Sequence, residues 1–425
     1  MLNSYRRGET ENIQGIRKLP LRALACLVIS FAFLTSTACD YRSVPSETPS
    51  PSSIYTVPSY SVIDRTFTEE TTAPIGVYGD TGLTDALAVF RESNYQGTIL
   101  ILKDGVILYE DYSGFSDVER EVLCAGETAY EIGWITRQFT TVGIMRLVEE
   151  GLLDPDAPLS NYIPEYVYAD QMTIRMLLTM TSGIPDYLGG TIADRPYTEG
   201  LLNKGLTREN TLAAIDGFGN LDASFAAVLE KVQAMPLAFE PGTSFAVSDT
   251  GYVFLAEIIE RVSQIPYIHY MQKYILTPAG LDTASFSASS ETAVGYIAEG
   301  TLQYRSPVTP LVADGGLRMS AKDLMKWMQV VRDRQLISAG NWSLMLAPGE
   351  FGYGMGFSVM TDGSILEKSD VGGFSSTLAY VPSADLLVII LLNRNSEVRW
   401  SDPVLQAVFD YYGIGAEEEI PEDNG

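Results

Sequence analysis

The segment with the strongest signature in this chain reads Glu131-Ile132-Gly133-Trp134-Ile135-Thr136-Arg137-Gln138-Phe139-Thr140-Thr141. Its two most informative positions are Trp134 and, one helical turn later, Arg137. The indole of a tryptophan has a single polar atom, a donor N–H, and carries no nucleophilic oxygen. The guanidinium of an arginine stays protonated at physiological pH, so it cannot remove a proton from a neighbouring group. This pair of side chains therefore supplies neither a nucleophile nor a base.

Further segments downstream of this one in the chain point to one protein family. They are residues 148–156, 161–166, 173–185, 239–242, 248–252, 315–324 and 373–376. In this order they resemble the serine β-lactamase and penicillin-binding-protein superfamily, whose active-site helix begins with Ile-Gly-Ser-x-x-Lys-x-Phe-Thr. Several long matches in the same order are a specific signal, whereas any one of them alone is weak.

The resemblance implies that the first catalytic motif is degenerate. In that family the serine is acylated, and the lysine one turn later helps to remove its proton, because an unassisted hydroxyl is a poor nucleophile. The matching positions here are Trp134 and Arg137. The framework of the enzyme is expected to be present without its chemistry.

The other two family motifs are altered as well. The family's Tyr-x-Asn corresponds to Val247 and Asp249, which removes a phenol and replaces a neutral amide with an anion. The third motif, Lys-Thr-Gly or His-x-Gly, falls on Glu367-Lys368-Ser369 in one register. A register shifted by one residue would let Lys368 and Ser369 imitate Lys-Thr, with Asp370 in place of the glycine.

Each of these positions also has a structural interpretation. Trp134 is expected to fill space at the floor of the cleft, since burial of a large apolar side chain is favourable. Arg137 is expected to form an ion pair, for which Asp249 is the candidate partner, because perturbed charge pairs are often structural. The alternative is that Trp134, Arg137 and Asp249 contact a ligand in the cleft.

Substitute nucleophiles were sought among the remaining serines. Neither Ser182 nor Ser248 lies in a Gly-x-Ser-x-Gly turn or has a suitably spaced lysine or histidine. Both are expected to have turn or capping roles. The single histidine, His269, lies on a predicted helix far in sequence from every motif, so it does not indicate a Ser-His-Asp triad.

Composition limits the classes of partner. The 425 residues include 28 basic and 54 acidic side chains, giving a net charge of −26. A surface of that sign repels nucleic acid. We find no dinucleotide fingerprint, phosphate-binding loop or metal-ligand cluster in the sequence, so no cofactor is indicated.

The N-terminus is typical of an export signal of the lipoprotein type. Basic residues precede an apolar run at 23–34, and Thr-Ser-Thr-Ala leads into Cys39. We expect residues 1–38 to be a signal peptide and Cys39 to carry lipid; a single uncleaved anchor helix is the alternative. Residues 39–75, rich in Ser, Pro and Thr, are expected to be a tether to the membrane.

The resulting prediction is an α+β domain over residues 76–415, followed by an acidic tail at 416–425. Strands near both ends of the chain, with helices between them, fit the family's antiparallel sheet flanked by helices plus a helical subdomain. We interpret the protein as a tethered, extracytoplasmic pseudoenzyme that acts by binding peptide or cell-wall fragments. The alternatives are an active serine hydrolase (D,D-peptidase, β-lactamase or esterase) with unrecognised residues, and a structural surface protein.

Expression in a bacterial host should yield a membrane-associated protein whose mature N-terminus is Cys39. A single acyl chain holds a protein only marginally, so the diacyl modification is expected to give stable attachment. Mass spectrometry of the N-terminal peptide checks this. A chain still carrying Arg22 in the membrane fraction, or a soluble product cleaved elsewhere, would contradict it.

Overall fold

The computed structural model of the chain describes residues 62–64, 75–91, 95–189, 208–299, 302–307, 309–313, 315–349, 351–395 and 401–414. The expected signal peptide, Cys39 and the acidic tail lie outside these ranges. Among the helices that they contain, none is both long enough and apolar enough to cross a bilayer.

The strands form one large sheet and three small ones. They are β1 (Val62–Asp64), β2 (Ile75–Tyr78), β3 (Gly97–Lys103), β4 (Val106–Ser113), β5 (Phe115–Asp117), β6 (Val122–Leu123), β7 (Tyr130–Glu131), β8 (Tyr296–Glu299), β9 (Leu302–Arg305), β10 (Arg318–Met319), β11 (Ile365–Val371), β12 (Phe374–Val381), β13 (Leu386–Leu392) and β14 (Arg394–Asn395). Six of them make an antiparallel sheet in the order β11-β12-β13-β3-β4-β2. Strands from both ends of the chain therefore meet at its centre.

The helices cover both faces of this sheet. They are α1 (Thr81–Ala86), α2 (Ala88–Arg91), α3 (Thr136–Glu149), α4 (Ile174–Leu178), α5 (Arg208–Gly219), α6 (Phe225–Gln233), α7 (Thr250–Ser263), α8 (Tyr267–Met271), α9 (Ala321–Arg332), α10 (Ala339–Met345) and α11 (Ser401–Tyr412). Side chains of α1 and α11 belong to the core on one face, while α3, α7 and the other central helices build the core on the opposite face. This is the α+β architecture that the sequence predicted.

The central strand β13 separates the two cores. All seven of its residues are buried. Leu387, Ile389 and Leu391 face the core of the central helices, and the intervening residues face α1 and α11, because successive side chains of a strand point to opposite faces. Burial of each such side chain contributes about 1.5–3 kcal/mol, so β13 holds the two layers together.

Helix α3 lies at the middle of the larger core. Phe139 on α3 stacks on Trp327 of α9 with ring centroids 3.9 Å apart. The Trp327 indole N–H also donates to Gln138 Oε1 at 2.8 Å, so its polar atom is satisfied inside the core. These contacts fix the first turns of α3 against α9.

One boundary differs from the expectations. Val62–Asp64, expected in the tether, pairs with β9 as an edge strand, and the domain's main sheet begins at Ile75. The two short helices α1 and α2 follow, interrupted at Leu87. Residues 353–359 form only isolated bridges, because Gly352 and Gly356 adopt positive φ and break the extended backbone.

Replacement of Trp327 with alanine should destabilise the domain by about 3–5 kcal/mol, since it empties a fully buried site and leaves the Gln138 amide without its partner. Urea unfolding of the purified domain measures this. Leu344→Ala on neighbouring α10 is the matched control, because Leu344 is 48% exposed and its loss should change stability by about 0.5 kcal/mol or less. Equal losses in the two variants would contradict this account of the core.

Candidate functional site

A short 3-10 turn, Gly133–Ile135, connects β7 to α3 and carries the residue at the nucleophile position. Gly133 adopts φ +53°, and a Cβ there would overlap the hydroxyl of Ser369 on β11. Only glycine allows this close approach. The turn is therefore pressed against β11.

Trp134 fills the position that a nucleophile would occupy. Its side chain is buried, with 3% of the residue exposed. Its backbone N–H donates to Ser369 Oγ at 3.1 Å. The indole Nε1 has no acceptor among the described residues. The hydrogen bond matters chemically, because the nucleophile's own N–H is one of the donors that stabilise the oxyanion in serine proteases.

Arg137, one turn along α3, makes a buried ion pair with Asp249 at the start of α7. The two side chains are 2% and 0% exposed. The guanidinium carbon also lies 5.6 Å from the ring centroid of Trp134 and 5.7 Å from that of Tyr252. The ion pair expected from the sequence is therefore present, and it joins the two central helices.

The direction of side chains along β11 decides the register of the third motif. Glu367 and Ser369 face α3, while the ammonium of Lys368 forms an ion pair with Asp402 on α11. Lys368 thus points to the opposite face of the sheet, as alternation requires. The shifted register, in which Lys368 imitates a catalytic lysine, is wrong. The residue that faces the site is an acid.

Glu367 is a fully buried carboxyl near the ion pair of Arg137 with Asp249. Its Oε1 accepts a hydrogen bond from the backbone N–H of Ser358 at 2.6 Å. Burial raises the pKa of Glu367 from 4.5 to about 7, and the Ser358 N–H and the charge of Arg137 offset part of that effect. Burial likewise raises the pKa of Tyr252 to about 12, so its phenol is neutral at physiological pH.

A second buried charge pair lies at the strand that leads into the turn. Glu131 on β7 pairs with Arg318 on β10 at 2.9 Å, directly across the strand register. Burial raises the pKa of Glu131 to about 7, while Arg318 lowers it in part. This pair joins β7 to β10 directly before the 3-10 turn.

Within the described ranges, Ser182, Ser248 and His269 are not placed to replace the missing catalytic groups. The Ser182 hydroxyl accepts from the Ile184 N–H at 3.3 Å, which is the turn role expected for it. The Ser248 hydroxyl is buried without a hydrogen-bond partner there, and His269 lies on the exposed side of α8. These parts of the chain also hold no group of three His, Cys, Asp or Glu side chains that would bind a metal.

Sequence reasoning missed the roles of Glu367, Ser369 and Tyr353. Glu367 and Ser369 were placed within the third motif, but only the strand direction shows that both face the site. Tyr353 is buried near Arg137 and Tyr252 and belongs to no motif. The positive-φ glycines on either side of it were the available signal for a loop that turns inward.

The stability of the domain should fall as pH rises from about 4.5 to about 7. The folded pKa of Glu367 lies above its unfolded value, so the stabilisation is complete below pH 4.5 and is lost through pH 7. The loss is on the order of 3 kcal/mol for this group. Glu367→Gln keeps an acceptor for Ser358 and should remove that part of the slope, as measured by urea unfolding at pH 5 and pH 8.

Glu131 has a raised pKa as well, so the Glu367→Gln protein should keep a residual slope that Glu131→Gln removes in turn. Glu127→Gln, at a carboxylate 72% exposed, is the control and should leave the slope unchanged. A slope in Glu367→Gln equal to that of the parent protein would show that Glu367 is ionised in the folded state.

Known proteins resemble this chain over most of its length. PbpX, a penicillin-binding-protein-like protein of Bacillus subtilis (strain 168), is 28% identical over 321 residues, which cover 73% of each chain. The penicillin-binding protein of Bacillus halodurans superposes with a TM-score of 0.64 at 23% identity, covering 78% of this chain and 99% of that one. The D-amino acid amidase of Ochrobactrum anthropi SV3 gives 0.62 at 18% identity, covering 78% and 98%. The two structural likenesses show the fold.

The family model described as Beta-lactamase matches residues 88–408. This span includes the turn with Trp134, the ion pair of Arg137 with Asp249, and strand β11. The resemblance inferred from the motifs is thereby confirmed, and the chain belongs to the β-lactamase family.

Proposed function

We propose that this protein is a membrane-tethered, extracytoplasmic member of the family that has lost acyl-transfer chemistry and acts by binding. The observation that carries the proposal is the closed site around Trp134. A buried indole stands at the nucleophile position, and its own backbone N–H is already hydrogen-bonded to Ser369.

Serine acyl transfer needs a nucleophile, a base in contact with it, and free donors for the oxyanion. Trp134 has no nucleophilic atom. Arg137 stays charged and is held by Asp249, so it cannot serve as the base. The Ser369 hydroxyl accepts a hydrogen bond from the Trp134 backbone N–H, so that donor is already used and does not face an oxyanion. All three requirements thus fail at the same place.

The proposed ligand is a peptide or a cell-wall fragment, and the tether is a lipid on Cys39. The ligand class rests on the relatives that are named as penicillin-binding proteins. Trp134, Arg137 and Asp249 are at most 3% exposed, which leaves them little surface for direct contact. A ligand would therefore bind to the walls of the cleft rather than to its floor.

The second candidate function is an active serine hydrolase. It is favoured by the fold shared with a D-amino acid amidase and by the buried, unpartnered hydroxyl of Ser248. That hydroxyl lacks an adjacent lysine or histidine in the described structure, and for that reason we rank this function second.

The purified domain should remain unlabelled by a fluorescent penicillin and by a fluorophosphonate, because Trp134 and Arg137 provide neither a nucleophile nor a base that would activate a nearby hydroxyl. Gel fluorescence and intact-protein mass spectrometry measure this, with an active penicillin-binding protein as positive control. Slow hydrolysis alone would not contradict the proposal, since a preorganised cleft accelerates reactions by roughly 10³–10⁴-fold over water without its catalytic side chains. A stable adduct at Ser182, Ser248 or any other specific residue would establish the hydrolase instead.

Stepwise reversion of the motif positions tests whether the missing side chains account for the proposed loss of acyl transfer. Trp134→Ser with Arg137→Lys should gain little, because Val247 and Asp249 still lack the family's phenol and amide. Adding Val247→Tyr and Asp249→Asn restores those groups. The backbone N–H of residue 134 still donates to the Ser369 hydroxyl, however. We therefore expect the labelling rate to rise only when Ser369→Gly is added, and the four-site protein is its matched control.

A further inference from the structure

The guanidinium of Arg137 lies in an enclosure of aromatic rings and carboxyl groups. Asp249 pairs with it directly, and Glu367 acts on it through its charge. The rings of Trp134 and Tyr252 lie 5.6 and 5.7 Å from the guanidinium carbon. Every member of this group is at most 3% exposed.

These surroundings match the chemistry of a guanidinium ion. Electron-rich ring faces within about 6 Å attract a cation, and desolvation strengthens that attraction. The Arg137 Nη2–H donates to Asp249 Oδ1, and a charge-assisted hydrogen bond of this kind is strong. Asp249 and Glu367 are both acidic, so the enclosure suits a cation and repels an anion.

We propose that the former catalytic centre is a guanidinium-binding site that the chain fills with its own Arg137. The side chain acts as an internal ligand and holds the floor of the cleft closed. This inference builds on the proposed loss of catalysis, and it adds the chemical class of the occupant: an alkylguanidinium. A free alkylguanidinium should therefore bind once the Arg137 side chain is removed.

A simple ion pair would behave differently. If only charge mattered, an alkylammonium would serve as well as an alkylguanidinium, and the rings would contribute nothing. If only shape mattered, a neutral alkylurea would also fit. The proposed site needs the charge, the planar donor group and the rings together.

The test uses Arg137→Ala, which truncates the internal ligand and leaves the enclosure. Its Tm should fall by roughly 5–10 °C, because one partner of a buried pair is lost. Addition of about 10 mM ethylguanidinium, which replaces the two methylenes and the guanidinium that Arg137→Ala removes, should raise the Tm by about 2–3 °C, as expected for a dissociation constant of about 1 mM. Ethylammonium and ethylurea should raise the Tm by much less. The denaturing action of guanidinium scales with concentration and is negligible at about 10 mM.

Two variants act as matched controls. Arg318→Ala removes another buried arginine, paired with Glu131, for which the described residues provide no ring contact, and it should not respond to ethylguanidinium. The double variant Arg137→Ala with Trp134→Leu loses one ring and should bind roughly five- to tenfold more weakly. If Arg137→Ala does not fold by itself, its refolding yield with and without ethylguanidinium replaces the Tm.

Absence of an ethylguanidinium effect in both the Tm and the refolding yield would overturn the proposal. An equal effect of ethylammonium, or an equal response of Arg318→Ala, would do the same. These outcomes leave the proposed loss of catalysis intact, because penicillin labelling of the parent protein tests that separately. Labelling would in turn refute the loss of catalysis without touching the guanidinium titration.

Discussion

The buried ion pair of Arg137 with Asp249 is the interaction on which the rest of the site depends. It joins α3 to α7 at the point where an acyl-transfer enzyme keeps a neutral lysine and a substrate-binding amide. Two charges removed from water are costly unless each is well paired, so the pair restricts what can surround it. Rings cover the guanidinium, and burial raises the pKa of the nearby Glu367 carboxyl to about 7. At these positions the chain has an internally balanced charge pair in place of the family's lysine and amide.

The fold is stabilised mainly by its two hydrophobic cores rather than by this site. The large sheet separates two cores, and the core on the side of α1 and α11 has no part in the cleft. Strand β13 contributes to both cores through alternate residues. Because most of the hydrophobic stabilisation lies in these layers, the residues at the floor of the cleft can change without loss of the fold. That separation explains how a chain can keep its family's architecture while its three catalytic motifs change.

The sequence was sufficient for the fold class and for the pairing of Arg137 with Asp249. Motif order is a local signal, and it survives in this chain. The register of the third motif was left open because two neighbouring residues can each be aligned, and only the packed sheet shows which one points to α3. Strand β1 was missed because its pairing with β9 is a tertiary contact between segments some 240 residues apart.

The hydrogen bond from the Trp134 amide to Ser369 has an evolutionary consequence. A lineage that regained activity would need a hydroxyl at position 134, a neutral base at 137 and an unoccupied amide, which are separate substitutions. Single steps toward that end give no selectable gain, and those that break the buried pair also cost stability, on the order of 3–5 kcal/mol, which is a large share of a typical domain's total. Under the proposed loss of acyl-transfer chemistry, the early substitutions on a route back to activity therefore cost stability, and activity returns only with the last of them.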